Sequence, residues 1–230
     1  MGVAVSSGGF FLLFFVNNLF RMTTILDWAT QNGFSAVVRK DKGRTAYVYQ
    51  ACHDPSKRLV ALKVVHEKNR RKNSIVREAT MLQQLNPLGL GPTLYSFDLV
   101  ENVLVLEWVE GVSFREWVLD TNPSKKDLLA VIEQILLQAR YLDALKVDHS
   151  QLAGRGQNIL IRKKGASFEP ILIDFEKASL VRRCHNFSQL ASFLFYSPSG
   201  VIACRLRERL GINWFEPVQS KVLLLSLPNP

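Results

Sequence analysis

The sequence predicts an α+β fold of two lobes, a small antiparallel-sheet lobe followed by a reduced, mainly helical one. Three observations carry that expectation. β-rich runs cluster at 36–50 and 59–65, one helical segment at 73–85 separates them from further strands at 94–98 and 103–109, and most of the remainder is helical in pattern. Strand and helix do not alternate as a parallel sheet would require. With 230 residues, 47% of them hydrophobic and 21% charged, the chain can bury a sizeable core and is too apolar to be mainly disordered. A site between the two lobes is the natural expectation.

The elements follow in order. "AVVRKDKGRTAYVYQ" (36–50) has two β-rich runs broken by a charged turn, and "LVALKVV" (59–65) is a further strand. In "NSIVREATMLQQL" (73–85), Ile75, Val76, Ala79, Met81, Leu82 and Leu85 recur at helical intervals, with Ser74 as N-cap. "NPLGLGP" then ends that helix. After the strands at 94–98 and 103–109, Gly111 punctuates the chain, and "KKDLLAVIEQILLQARYLDAL" (125–145) is the longest helical pattern, with a stripe from Leu128 to Leu142. Two short strands, 158–161 and 171–174, and a helical segment at 188–210 complete the reading.

A net charge of +9 is concentrated partly between Lys57 and Arg77. That cluster lacks aromatic interleaving and any nucleic-acid motif, so it reads as a solvated loop and disfavours nucleic acid as a partner. Cys52, Cys184 and Cys204 form an odd set without metal-ligand spacing, which reads as reduced thiols and makes the cytoplasm the expected location. "GGFFLLFFVNNLF" (8–20) is too short for a transmembrane span, and no Lys or Arg precedes it as a signal peptide would need. Residues 1–21 are therefore read as an apolar extension ahead of one domain, 22–230, with lobes of about 22–110 and 111–230 and with Met22 as an alternative start.

Four segments carry chemistry. "DKGRTAYV" (41–48) partly matches a phosphate-covering hairpin, G-x-G-x-x-G-x-V, through Gly43 and Val48; taken alone it also reads as a plain β-turn. "VALK" (60–63) puts Lys63 after Val60 and Ala61 on a strand, where an ammonium needs an anionic partner. Glu78 lies on the next helix among core positions, either as that partner or as a solvated carboxylate on an exposed face. "LVLEWVEG" (104–111) is either a core strand or a lobe connector whose Glu107 carbonyl and Val109 amide meet an adenine edge. Finally, "ILIDF" (171–175) delivers Asp174 at the end of an apolar run.

In this order, Gly43, Lys63, Glu78, Glu107, Asn158 and Asp174 resemble the protein kinases, in particular the compact predicted serine/threonine kinase-like proteins of prokaryotes, over residues 36 to about 190. The resemblance implies a kinase-like two-lobe fold, ATP and Mg2+, and transfer of the γ-phosphoryl group to a hydroxyl, with a Ser/Thr protein substrate or a regulatory protein as partner. It further implies that Gly43, Val48, Ala61, Lys63, Glu78, Glu107 and Val109 surround the nucleotide. Lys63 would hold the α and β phosphates, Glu78 would orient it, Asn158 and Asp174 would bind the metal, and Phe175 would pack between helix and catalytic loop.

The departures from the template are specific. In "DHSQLAGRGQNILI" (148–161), His149 and Leu152 fit H-R-D-L-x-x-x-N, which places Gln151 at the position of the base aspartate and makes the loop to Asn158 two residues longer. Gln151 can orient a hydroxyl but cannot take its proton at neutral pH. Asp148 is the nearby carboxylate on the amino-terminal side. Glu176 replaces the usual glycine after Asp174-Phe175, either assisting the metal or pairing with Lys177. No A-P-E motif follows, and the peptide-docking region is short. An enzyme and an ATP-binding, catalytically weak or inactive pseudokinase that acts as a regulatory module are both compatible with these features.

Overall fold

The computed structural model describes residues 24–67 and 73–211; the apolar stretch at 8–20, the alternative start at Met22 and part of the basic cluster lie outside them. A short helix α1 (Ile25–Gln31), capped by the Thr24 hydroxyl, leads into a five-stranded sheet. Its strands are β1 (Phe34–Lys42), β2 (Ala46–His53), β3 (Arg58–Val65), β4 (Leu94–Asp98) and β5 (Val103–Glu107), ordered β1-β2-β3-β5-β4 with every neighbouring pair antiparallel.

The period of two along each strand divides the side chains between two cores. Ala51, Val60, Leu62, Val103 and Val105 face α1, where they pack with Trp28, Ala29 and Phe34. Ala46, Ala61, Val65, Leu104 and Leu106 face the opposite way, into the main core. Lys63 shares that second face, because it lies between Ala61 and Val65.

Helix α2 (Ser74–Leu85) covers this face and buries Ile75, Glu78, Ala79, Met81, Leu82 and Leu85. Asn73 rather than Ser74 occupies its N-cap, in a left-handed conformation that Asn tolerates and with no side-chain cap bond. Beyond β5, residues 108–110 form an irregular link to β6 (Gly111–Ser113). Helix α3 (Phe114–Asp120) follows, closed by a reciprocal capping box between Ser113 and Glu116. The sequence reading assigns neither β6 nor α3; both are short, and the "S-x-x-E" of the box is the signal that marks the helix start.

Helix α4 (Lys125–Ala144) buries the stripe from Leu128 to Leu142, as its periodicity predicts. Strands β7 (Ile159–Lys164) and β8 (Ser167–Leu172) join β6 in a second antiparallel sheet of order β6-β7-β8. The expected helix at 188–210 is broken into α5 (Asn186–Ala191), a π-helical turn (Ser192–Tyr196) and α6 (Val201–Leu210). Pro198 and Gly200 in the gap explain the break, since proline has no amide hydrogen to continue a helix.

The arrangement is α+β in two lobes, a small antiparallel sheet followed by a more helical part. One continuous apolar core runs from Ala46 and Leu104 of the first sheet through Leu82 and Phe175 to Leu190 and Leu206. Gly91 lies at a tight point of that core. Its φ is +76°, and an added Cβ would sit 2.8 Å from Leu82 and 3.1 Å from Phe175.

Candidate nucleotide site

Lys63 lies on an interior strand of the first sheet and is buried; its Nζ donates to Glu78 Oε2 at 2.6 Å and to Asp174 Oδ1 at 2.7 Å. Three elements distant in sequence therefore meet on one ammonium. Burial alone would lower the lysine pKa, yet the two carboxylates outweigh it and raise the pKa above the ordinary lysine value. Burial raises the Glu78 carboxyl, against the pull of Lys63. The 2.6 Å contact between them has the geometry of a salt bridge.

Asp174 follows β8 in the left-handed region, at φ 69° and ψ 64°, a conformation uncommon for residues with a Cβ but more accessible to Asp and Asn than to most. The surroundings here are well defined. Ile173 N donates to the Asn158 carbonyl at 2.9 Å, and Phe175 is fully buried against the His149 ring at a centroid distance of 4.7 Å. The Asp174 side chain stays partly open to solvent.

His149 itself is a structural residue. Burial lowers its pKa to about 4, so the imidazole is neutral at pH 7, and Nε2 lies 3.0 Å from the Ile173 carbonyl, to which it donates. His149 N donates to Asn186 Oδ1 at 2.9 Å. The Asn186 amide in turn donates to Asp143 Oδ1 at 2.8 Å and to the Val147 carbonyl at 2.7 Å, while Asp143 also caps the amides of Asn186 and Phe187. Helix α5 thus grips the loop that carries His149 and Gln151.

Gln151 and Asn158 are brought together across the loop, with Asn158 Nδ2 donating to the Gln151 carbonyl at 3.3 Å. That bond uses the Asn158 amide nitrogen. Gln151 Oε1 is buried without a hydrogen-bond partner. Asp148 points elsewhere: its carboxylate pairs with Arg182, and its backbone makes a two-way bridge with Ser179.

The remaining positions fall into two groups. Val48 is the direct cross-strand neighbour of Lys63, Ala61 shares its face, and Gly43 lies in the β1-β2 turn, where its carbonyl is 2.9 Å from His66 Nε2. Glu107 ends β5 and Val109 is buried in the link that follows. The Glu107 carboxylate is engaged by Arg162 and by Thr93, so its side chain serves the fold.

Several contacts have no counterpart in the sequence reading. Glu176 is buried and turns to the Thr45 hydroxyl, which donates to it at 2.7 Å, rather than to Lys177. Arg77 donates to the Glu176 carbonyl at 3.0 Å. Nothing local in the sequence marks Asn186 as a joint, or Asp143, its partner 43 residues away.

The donor set suits a hard cation. A carboxylate oxygen of Asp174 and the amide oxygen of Asn158 are oxygen ligands of the kind magnesium takes, and such sites are ordinarily completed by substrate phosphates rather than by protein alone.

The protein kinase domain model matches residues 41–209, and the chain belongs to that family. A stretch of 108 residues is also 33% identical to an uncharacterized protein of Methanocaldococcus jannaschii, covering 47% of this chain and 85% of that one. Among the described residues no helix is long and apolar enough to cross a membrane.

Proposed function

We propose that this protein is an ATP- and magnesium-dependent phosphotransferase acting on serine or threonine hydroxyls. The observation that supports this most directly is Lys63 suspended between Glu78 and Asp174, which ties the interior strand, helix α2 and the loop after β8 to one fixed charge. Lys63 meets the α and β phosphates, and Glu78 keeps it oriented. Gly43, Val48 and Ala61 border the nucleotide, and the backbone of Glu107 and Val109 receives the adenine edge. Asp174 and Asn158 hold the metal. What magnesium supplies when bound is neutralisation of charge on the phosphoryl group in transfer. Gln151 orients the acceptor hydroxyl by hydrogen bonding. A loose transition state asks little of a base, and the loss of one costs roughly 10²–10⁴-fold.

A second reading is favoured by one observation: Gln151 stands in place of the base while Asp148 is engaged by Arg182. In that reading the protein binds nucleotide and presents its bound form to a regulatory partner, with little or no turnover.

The test is thermal unfolding with and without ATP, each with and without magnesium. A ligand that binds only the folded state raises the midpoint, by about 2.7 kcal/mol of stability at a hundredfold excess over Kd. The expected result is a magnesium-dependent rise that Asp174→Ala abolishes. No shift at several millimolar ATP would remove both readings. Turnover on a generic protein substrate that Lys63→Ala abolishes separates the first from the second.

A further inference from the structure

We propose that Glu176 is a positioning residue that clasps the phosphate-covering hairpin. The inference rests on the nucleotide reading above for its purpose, although its geometry stands alone. The turn between β1 and β2 consists of Gly43, Arg44 and Thr45, and a turn of this kind is ordinarily mobile, since it extends past the last paired residues of its strands. Here its last residue is tied down. Thr45 Oγ1 donates to Glu176 Oε2 at 2.7 Å across 131 residues of sequence, and the Glu176 side chain is buried.

Glu176 is itself held from a third direction, because Arg77 on α2 donates to its carbonyl. The turn Phe175–Lys177 packs on α2 and lies just beyond Asp174. The clasp therefore joins the hairpin, the metal-side loop and α2, the same three regions that surround Lys63. A second bond reinforces it on the other flank, where His66 N donates to the Thr45 carbonyl at 2.8 Å. Glycine at position 176 could make no such side-chain contact. A residue that departs from the family template thus holds down the part of the site that meets the phosphates, whereas adenosine is received at the distant link after β5.

The first experiment needs no nucleotide. Limited trypsin digestion, with mass spectrometry of the cut positions, reads exposure of the bonds after Lys42 and Arg44. Glu176→Ala and Thr45→Val should speed cleavage there by about tenfold, the factor expected for loss of a hydrogen bond to a charged acceptor. Thr45→Ser, which keeps the donor, should retain wild-type protection, and Glu176→Gln, which keeps an acceptor without its charge, should fall between wild type and Glu176→Ala. Wild-type rates in Glu176→Ala and Thr45→Val, or loss of protection in Thr45→Ser, would overturn the clasp.

Titration calorimetry with magnesium-ATP and with adenosine supplies the functional arm. Glu176→Ala should weaken ATP about tenfold and leave adenosine unchanged; equal weakening of both would overturn the assignment to the phosphate end. If the wild-type protein binds neither ligand, the nucleotide reading fails, while the digestion still decides whether the clasp exists.

Discussion

His149 is pressed between Phe175 and the Ile173 carbonyl, and burial holds its pKa near 4 against an ordinary 6.5. Between those values the unfolded chain binds a proton that the folded one refuses. The stability this contributes is fully present above pH 6.5 and is lost as pH falls toward 4, at most about 3 kcal/mol. Urea unfolding at pH 7 and pH 4.5 should therefore show a drop that is about 2 kcal/mol smaller in His149→Gln, a variant with no imidazole to protonate. At this scale the sequence was informative wherever a residue type was unusual for its place. A lysine inside an apolar strand demanded an anion, and Glu78 met that demand on an otherwise apolar helix stripe. Thr45 and Asp143 carried no such tension: a threonine in a turn and an aspartate near a helix end are ordinary until their partners are seen.

Between elements, the critical joint is α5 against the loop at 147–151. Asn186 is buried and uses its amide nitrogen as donor to both Asp143 and Val147, and its oxygen as acceptor from His149. The near-isosteric Asn186→Asp keeps the acceptor but sets a second carboxylate against Asp143. It should cost about 3 kcal/mol in chemical denaturation, close to what Asn186→Ala costs, because a buried charge without a partner is at least as damaging as a lost bond. A purely steric role for Asn186 would instead leave the aspartate variant near wild type. Long, strongly patterned elements such as α4 were legible because their apolar stripes repeat over several turns. Short ones were not. Strand β6 has three residues and α3 seven, too few for periodicity to separate them from a loop, and the helix expected at 188–210 overlooked its own proline and glycine.

Across the whole molecule, the two sheets are tied to each other by Arg162, between a strand interior to each. It stands on β7, pairs with Glu107 at the end of β5 and with Glu169 on β8, and is about one-third exposed. Replacing it with methionine keeps much of the side-chain bulk and removes the charge. Arg162→Met should lower stability by about 1 kcal/mol in denaturant unfolding, the upper range for a partly solvated pair; an unchanged midpoint would mean that the network contributes only geometry. The order of the longer strands and helices, and hence the two-lobe class, was readable in advance, whereas the contacts between lobes depend on residues such as Arg162 and Glu107, 55 positions apart. From Asp174 the chain reaches α5 at Asn186 directly, and on the way Ser179 bridges to Asp148 while Arg182 clamps the Asp148 carboxylate. The loop at 147–151 and the stretch after Asp174 are thus fastened to each other through both backbone and side chain, so that a displacement of one carries the other with it.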